Sequence, residues 1–218
     1  MPDNLLPDHV STYLEGLVPP RPPEMQAMEE YAQKIGFNII GSASGQLCYQ
    51  IARISGARRI FELGSGYGYS TAWFARAVQE NGGGEVYHVV WDAELSQQAR
   101  HHLGVLGFGN NGSRVAVHYR VSEAIQALKE TEGPFDLIFN DIDKHAYPES
   151  LPVIREKLRP GGVLIVDNLL WHGRIFDPSD QTADTAAIHE FTHLMTKDPA
   201  WITTIVPIRD GVLVAYRV

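Results

Sequence analysis

The sequence predicts a doubly wound α/β fold, a mostly parallel sheet with helices on both faces and an antiparallel strand pair near its C-terminal end. Five short apolar stretches rich in β-branched or aromatic residues read as buried parallel strands, segments of helical spacing separate them, and a glycine-rich turn joins the first strand to the next helix. With 218 residues, 44% of them hydrophobic and 20% charged, the chain can bury a substantial core as one α/β domain with a short extension.

The expected strands are Arg59 to Leu63, Val86 to Trp91, Val115 to Tyr119, Phe135 to Asn140 and Val163 to Val166. Helical spacing falls between them, at Ser70 to Gln79, Glu94 to Leu106, Glu123 to Glu130 and Tyr147 to Leu158, each closed by glycine, proline or a charged turn. After Gly173 the pattern changes: Thr182 to Met195 reads as a helix, and Trp201 to Pro207 and Val212 to Val218 as a strand pair joined at Arg209-Asp210-Gly211. Gly82-Gly83-Gly84 reads as a mobile turn. Residues 1–56 hold no comparable strand and are expected to form a helical cap on a 57–218 sheet domain. Within the cap, Met25, Met28, Ala32 and Ile35 share one helix face after the turn-like Pro19-Pro20-Arg21-Pro22-Pro23, and Gly45 to Ile54 is a second helix candidate.

Composition narrows the function. One cysteine, Cys48, supports neither an internal disulfide nor a thiolate metal cluster, so a reducing compartment is expected. A net charge of -8 argues against a surface built for phosphate backbones, though a local basic patch stays open. With neither a basic leader nor a long apolar run, the protein is expected to be cytoplasmic and without membrane contact.

Gly64-Ser65-Gly66-Tyr67-Gly68 lies between the first strand and its helix, where exposed amides and close backbone approach suit a nucleotide-like ligand. Tyr69 stands where the dinucleotide pattern wants glycine, which counts against a dehydrogenase. Asp92 ends the second strand, placed either for ribose hydroxyls or as a helix N-cap. Glu62, inside the first strand, needs a partner or a function. Asp141 ends the fourth strand and Asp167-Asn168 the fifth; these three can converge as a hard-oxygen set for magnesium, manganese or calcium, or serve as turn acids and caps. Lys144, three residues past Asp141, is expected to have its charged form disfavoured by burial and an adjacent cation, and so to act as a base. His189 and His193 have metal spacing but lack the HExxH acid, and no nucleophile elbow or Gly-Lys-Ser/Thr loop is present.

Four segments together carry a resemblance: Gly45-Gln46-Leu47, Glu62 to Thr71, Asp141-Ile-Asp-Lys-His-Ala-Tyr147, and Arg159 to Gly173 with its Val166-Asp167-Asn168 and Trp171-His172-Gly173. In order and spacing the chain resembles the class I S-adenosylmethionine-dependent O-methyltransferases of the cation-dependent group, which includes catechol and caffeoyl-coenzyme A O-methyltransferases. The resemblance implies a Rossmann-like seven-stranded sheet with a reversed last hairpin. It also implies S-adenosylmethionine as donor, bound by Glu62, Gly64 and Ser70 at the methionine end, Asp92 at the ribose and Ser122 to Ala124 at the adenine. Asp141, Asp167 and Asn168 would be the ligands of Mg2+ (or Mn2+ or Ca2+), with Asp141 also beside the donor. Lys144 would act as general base together with Asp141, and Trp171 would lie beside the acceptor. Asp143 and Trp91 depart from the mammalian catechol enzymes.

These residues lead to an expected transfer of methyl to a hydroxyl of a small catechol or hydroxylated phenolic acid, by a homodimer. The alternatives are methylation of a hydroxylated uridine in transfer RNA, with Arg21, Arg155, Arg174 and Lys197 as candidate contacts, and a non-catalytic donor-binding protein.

Overall fold

The computed structural model describes residues 5–218, so the first four residues of the expected cap lie outside it. Three helices come first: α1 (Asp8–Gly16), α2 (Pro23–Ile35) and α3 (Gly41–Ile54). Strand and helix then alternate through β1 (Arg59–Leu63), α4 (Tyr69–Glu80), β2 (Gly84–Val90), α5 (Ala93–Val105), β3 (Val115–Val121), α6 (Ala124–Glu130), β4 (Phe135–Asn140), α7 (Tyr147–Lys157) and β5 (Leu158–Val166). The chain finishes with α8 (Ala183–Lys197), β6 (Trp201–Val206) and β7 (Val212–Arg217). The 7-stranded sheet has the order β3-β2-β1-β4-β5-β7-β6, parallel except where β7 runs against β5 and β6.

Both faces of the sheet are covered, as parallel strands require. One core joins α2, α3 and α4 to the sheet through Met28, Cys48, Trp73, Ile60 and Phe139. The other joins α6, α7 and α8 through Leu128, Ile154, Phe191, Phe61 and Leu164. Side chains alternate along β1, so Glu62 shares the first face with Ile60, beneath the start of α4.

The elements differ from the sequence expectation at a few places. β5 begins at Leu158, not Val163: Leu158 pairs with Phe135, and a register shift before Leu137 absorbs Pro160-Gly161-Gly162 as an irregularity instead of ending the strand. α7 accordingly stops at Lys157. Ile35 is 49% exposed, so α2 buries only Met25, Met28 and Ala32 of the expected stripe. The Gly82–Gly84 turn is pinned, with Gly83 N donating to Val78 O and Gly84 N to Arg114 O at 2.9 Å each, which is not the geometry of a mobile spacer. α1 has no buried residue, although Val10, Tyr13, Leu14 and the following Leu17 share one helix face. No helix among the described residues is long and apolar enough to cross a membrane.

Candidate active site

Sheet register builds the site. Leu63, Asn140 and Val166 are aligned across β1, β4 and β5. The chain leaves these strands in step, with Asp141 N donating to Leu63 O at 2.9 Å and Asp167 N to Asn140 O at 3.1 Å. Gly64, Asp141 and Asp167 are therefore brought together at the carboxyl edge, beside the point between β1 and β4 where strand order reverses and α/β sheets hold ligands. Gly64 has φ +83°, and a Cβ there would lie 2.4 Å from Asp141 O. Only glycine permits that approach.

Glu62 is fully buried, and neither carboxylate oxygen has a hydrogen bond of ordinary geometry. Burial pushes its carboxyl up to about 7, against the opposing pull of the Ser70, Thr71 and Ser65 hydroxyls. A buried acid left without a partner is costly and marks a place for a cationic ligand group. Thr71 also shares a 3.1 Å hydrogen bond with His88 Nδ1, and His88 is the β2 residue in register with Glu62. Sequence reading passed over both Thr71 and His88; the signal was a lone histidine in an apolar strand.

Burial holds His88 far down, at about 3 against an ordinary 6.5, with Arg100's charge adding. The unfolded chain then binds the extra proton between those values, so this stability is complete above about 6.5 and is lost as pH falls toward about 3. We expect one histidine to keep neutral-imidazole NMR shifts down to about pH 5, and His88→Asn to remove that signal and flatten the urea midpoint across the window. Ordinary titration of the His88 signal would contradict this.

The two strand-end acids interact. Burial and then the charge of Asp141 push the Asp167 carboxyl up to about 7, while Lys144, the Asn168 amide and Arg209 pull it down. Asn168 adopts a left-handed φ of 62°, and its side-chain amide lies against the Asp210 carboxyl, leaving its carbonyl oxygen as an acceptor. Asp210, in the β6–β7 turn, also accepts from His172 N, while Leu170 N donates to its backbone carbonyl at 2.8 Å, so the last hairpin props the loop that carries Asn168 and Trp171. Sequence reading assigned Asp210 only to a turn.

Lys144 pairs with a strand-end acid. Its Nζ donates to Asp141 Oδ1 at 2.8 Å and to Ile142 O at 3.1 Å, and lies 5.2 Å from the centre of the Tyr147 ring. Burial pulls its pKa down, but the Asp141 carboxylate outweighs that and holds the ammonium well above its ordinary range. In this pairing with Asp141 the Lys144 amine is held protonated.

On the β2–β3 side, Asp92 caps α5, its Oδ1 accepting from Glu94 N at 2.7 Å and Leu95 N at 3.0 Å. The cap does not exclude the ribose role, because both bonds fall on one oxygen. Ser122 N donates to Val90 O at 3.1 Å, which sets Ser122 and Ala124, the first residue of α6, beside that strand end. Trp91, 78% exposed, stands next to Asp92. His189 and His193 lie exposed on α8. No group of three or more His, Cys, Asp or Glu suited to a metal occurs among the described residues, so a metal set here needs the Asn168 carbonyl.

The sequence model of the O-methyltransferase family matches residues 24–218. The chain belongs to the O-methyltransferase family. It is thus a class I, S-adenosylmethionine-dependent transferase. This methyltransferase is 28% identical over 193 residues to an O-methyltransferase of Mycobacterium avium, covering 88% of this chain and 85% of that one. Its structure superposes on an O-methyltransferase of Klebsiella pneumoniae with a TM-score of 0.82 and 28% identity, over 96% of each chain. The O-methyltransferase TomG of Streptomyces achromogenes, crystallised with S-adenosylmethionine, shares the fold at a TM-score of 0.81 and 24% identity, over 96% of each chain.

Proposed function

We propose that this methyltransferase methylates a hydroxyl of a small catechol-like or hydroxylated phenolic acceptor with the help of a divalent cation. The observation that carries the reading is the pair Asp141 and Asp167, two acids on adjacent strand ends, one of them buried and driven up to about 7 by its burial and by the other's charge. Such a pair is unfavourable alone and suits a hard dication, with Asn168 as third oxygen donor. When bound, a dication supplies charge that lowers the pKa of a coordinated hydroxyl and orients vicinal oxygens.

The chain's own residues do the rest. Glu62, buried and without a partner, would hold the donor's ammonium, and Gly64 lets the donor's chain pass close to the backbone. Ser70, in the first turn of α4, flanks Glu62, while Asp92 and Ser122 to Ala124 would hold the nucleoside. Lys144 can accept a proton at Nζ only when Asp141 is engaged elsewhere, which ties proton removal to a loaded site. Alignment of acceptor oxygen and methyl carbon then supplies proximity.

The deciding experiment incubates the protein with labelled S-adenosylmethionine and magnesium against catechols, flavonoids and isolated transfer RNA, with and without chelator. Methylation of a vicinal diol that chelator abolishes is expected; full activity in chelator would overturn the metal role, and transfer only to RNA would overturn the acceptor class. Among the arginines that RNA would need, Arg21 pairs with Glu29, Arg155 with Asp198 and Arg174 with Asp180. Those charges are already compensated.

A further inference from the structure

A cavity of about 490 Å³ opens between α2, the start of α3 and the β6–β7 turn, within the size range of small-molecule sites. Ala32, Phe37 and Ile39 give it apolar wall, and Arg21, Arg209, Glu15 and Glu29 face it. It adjoins the donor loop, because the Phe37 ring lies 3.2 Å from where a Cβ on Gly66 would stand. It lies next to the loop that carries Asn168, because Leu170 N donates to the backbone carbonyl of Asp210, the residue after Arg209, and Leu169 N to that of Gly211. A hollow of about 560 Å³ between α2 and α5 holds none of these groups.

The two arginines differ. Arg21 is neutralised by a two-pronged pair with Glu29, at 2.8 and 2.9 Å. Arg209 Nη1 donates to Ile39 O at 2.7 Å, but no carboxylate among the described residues pairs with its guanidinium. Its placement carries a backbone cost. Arg209 itself has φ 48°, a left-handed conformation that is unfavourable for a non-glycine residue. The guanidinium lies over Gly41, on the side where a side chain there would point. Strain of this kind persists where the side chain has a use.

An arginine on the cavity wall without a carboxylate partner has a specific consequence for what can enter. In the metal-free site a carboxylate arriving near Asp141 and Asp167 meets repulsion, and of the two arginines on this wall Arg209 is the one not paired with a carboxylate, with a fork of N–H donors that matches an incoming acid. We propose that Arg209 is a specificity-determining residue that selects acceptors carrying a carboxylate, so that the phenolic ring occupies the cavity with its hydroxyls toward Asp141 and Asp167 and its acid on the guanidinium. This rests on the phenolic-acceptor reading above and narrows it to aromatic acids. The cavity's size favours a single-ring acid over a large carrier-linked thioester.

Two measurements test it. The first is calorimetric binding of 3,4-dihydroxybenzoate and of neutral catechol to the protein without metal or donor. The second is kcat/KM for the same two acceptors in the full reaction. Arg209→Gly suits both, because glycine accepts the left-handed turn. We expect the wild type to bind the acid more tightly than catechol, and Arg209→Gly to reduce the acid-to-catechol ratio about 10-fold or more in both measurements. Equal binding of the two by the wild type, or an equal fall for both in the variant, would overturn the proposal and leave Arg209 as a clamp on Ile39. Should neither diol be methylated, the phenolic reading fails, while the metal-free binding ratio still decides whether Arg209 recognises a carboxylate.

Discussion

Asp167→Asn is expected to abolish methyl transfer while making the metal-free protein more stable. Asp167 is 6% exposed, and its carboxyl is raised from 3.8 to about 7 by burial first and by Asp141 second. A group whose folded pKa is raised contributes stability that is present below its unfolded value and lost as pH rises through about 7. At pH 8 the ionised acid therefore opposes folding, and the isosteric amide removes that charge. We expect a gain of about 2 kcal/mol, roughly 4–8 °C in melting temperature for a chain of this size. The same change removes a proposed ligand, so turnover should fall on the order of 10²-fold or more. Magnesium or manganese should raise the melting temperature of the wild type but not of the variant. A variant that melts lower, or one that still responds to metal, would remove Asp167 from this role.

Gly64→Ala is expected to damage both the fold and the donor site. Its left-handed φ of +83° costs an alanine about 1–2 kcal/mol, and the new Cβ would meet Asp141 O at 2.4 Å. Because Asp141 N is bonded to Leu63 O, that clash must spread the ends of β1 and β4. We expect a loss of about 3 kcal/mol, or roughly 6–12 °C in melting temperature, together with loss of donor binding measured by calorimetry. Gly56→Ala is the comparison: it has φ +62° but nothing within 4 Å, so only the backbone cost should appear. Equal effects of the two substitutions would show that the close approach at Gly64 carries no weight.

Sequence alone reached the parts of this protein that depend on local pattern. β1 and β4 are short apolar runs closed by Gly64 and by Asn140-Asp141, and both strands have the expected bounds. Asp141 and Asp167 were legible for the same reason, as acids that follow buried strands on one edge. What was not legible depends on distance between remote segments. The first half of β5 is hidden because Pro160-Gly161-Gly162 resembles a break, and only pairing of Leu158 with Phe135 makes it a strand. The charge of Lys144 is set by a 2.8 Å contact that no spacing rule supplies. His88 acquires significance from register with Glu62, and Arg209 from its reach to Ile39, a contact spanning 170 residues.

The placement of β7 constrains how the enzyme is born. It is synthesised after β6 yet inserts between β6 and β5, so a ribosome-bound chain that has emerged only through β6 exposes the raw edge of β5. That chain also lacks the Gly211 carbonyl that receives Leu169 N. The nascent protein should thus be unable to hold the Asn168 loop until the β6–β7 hairpin folds back, which makes catalytic competence wait on that hairpin.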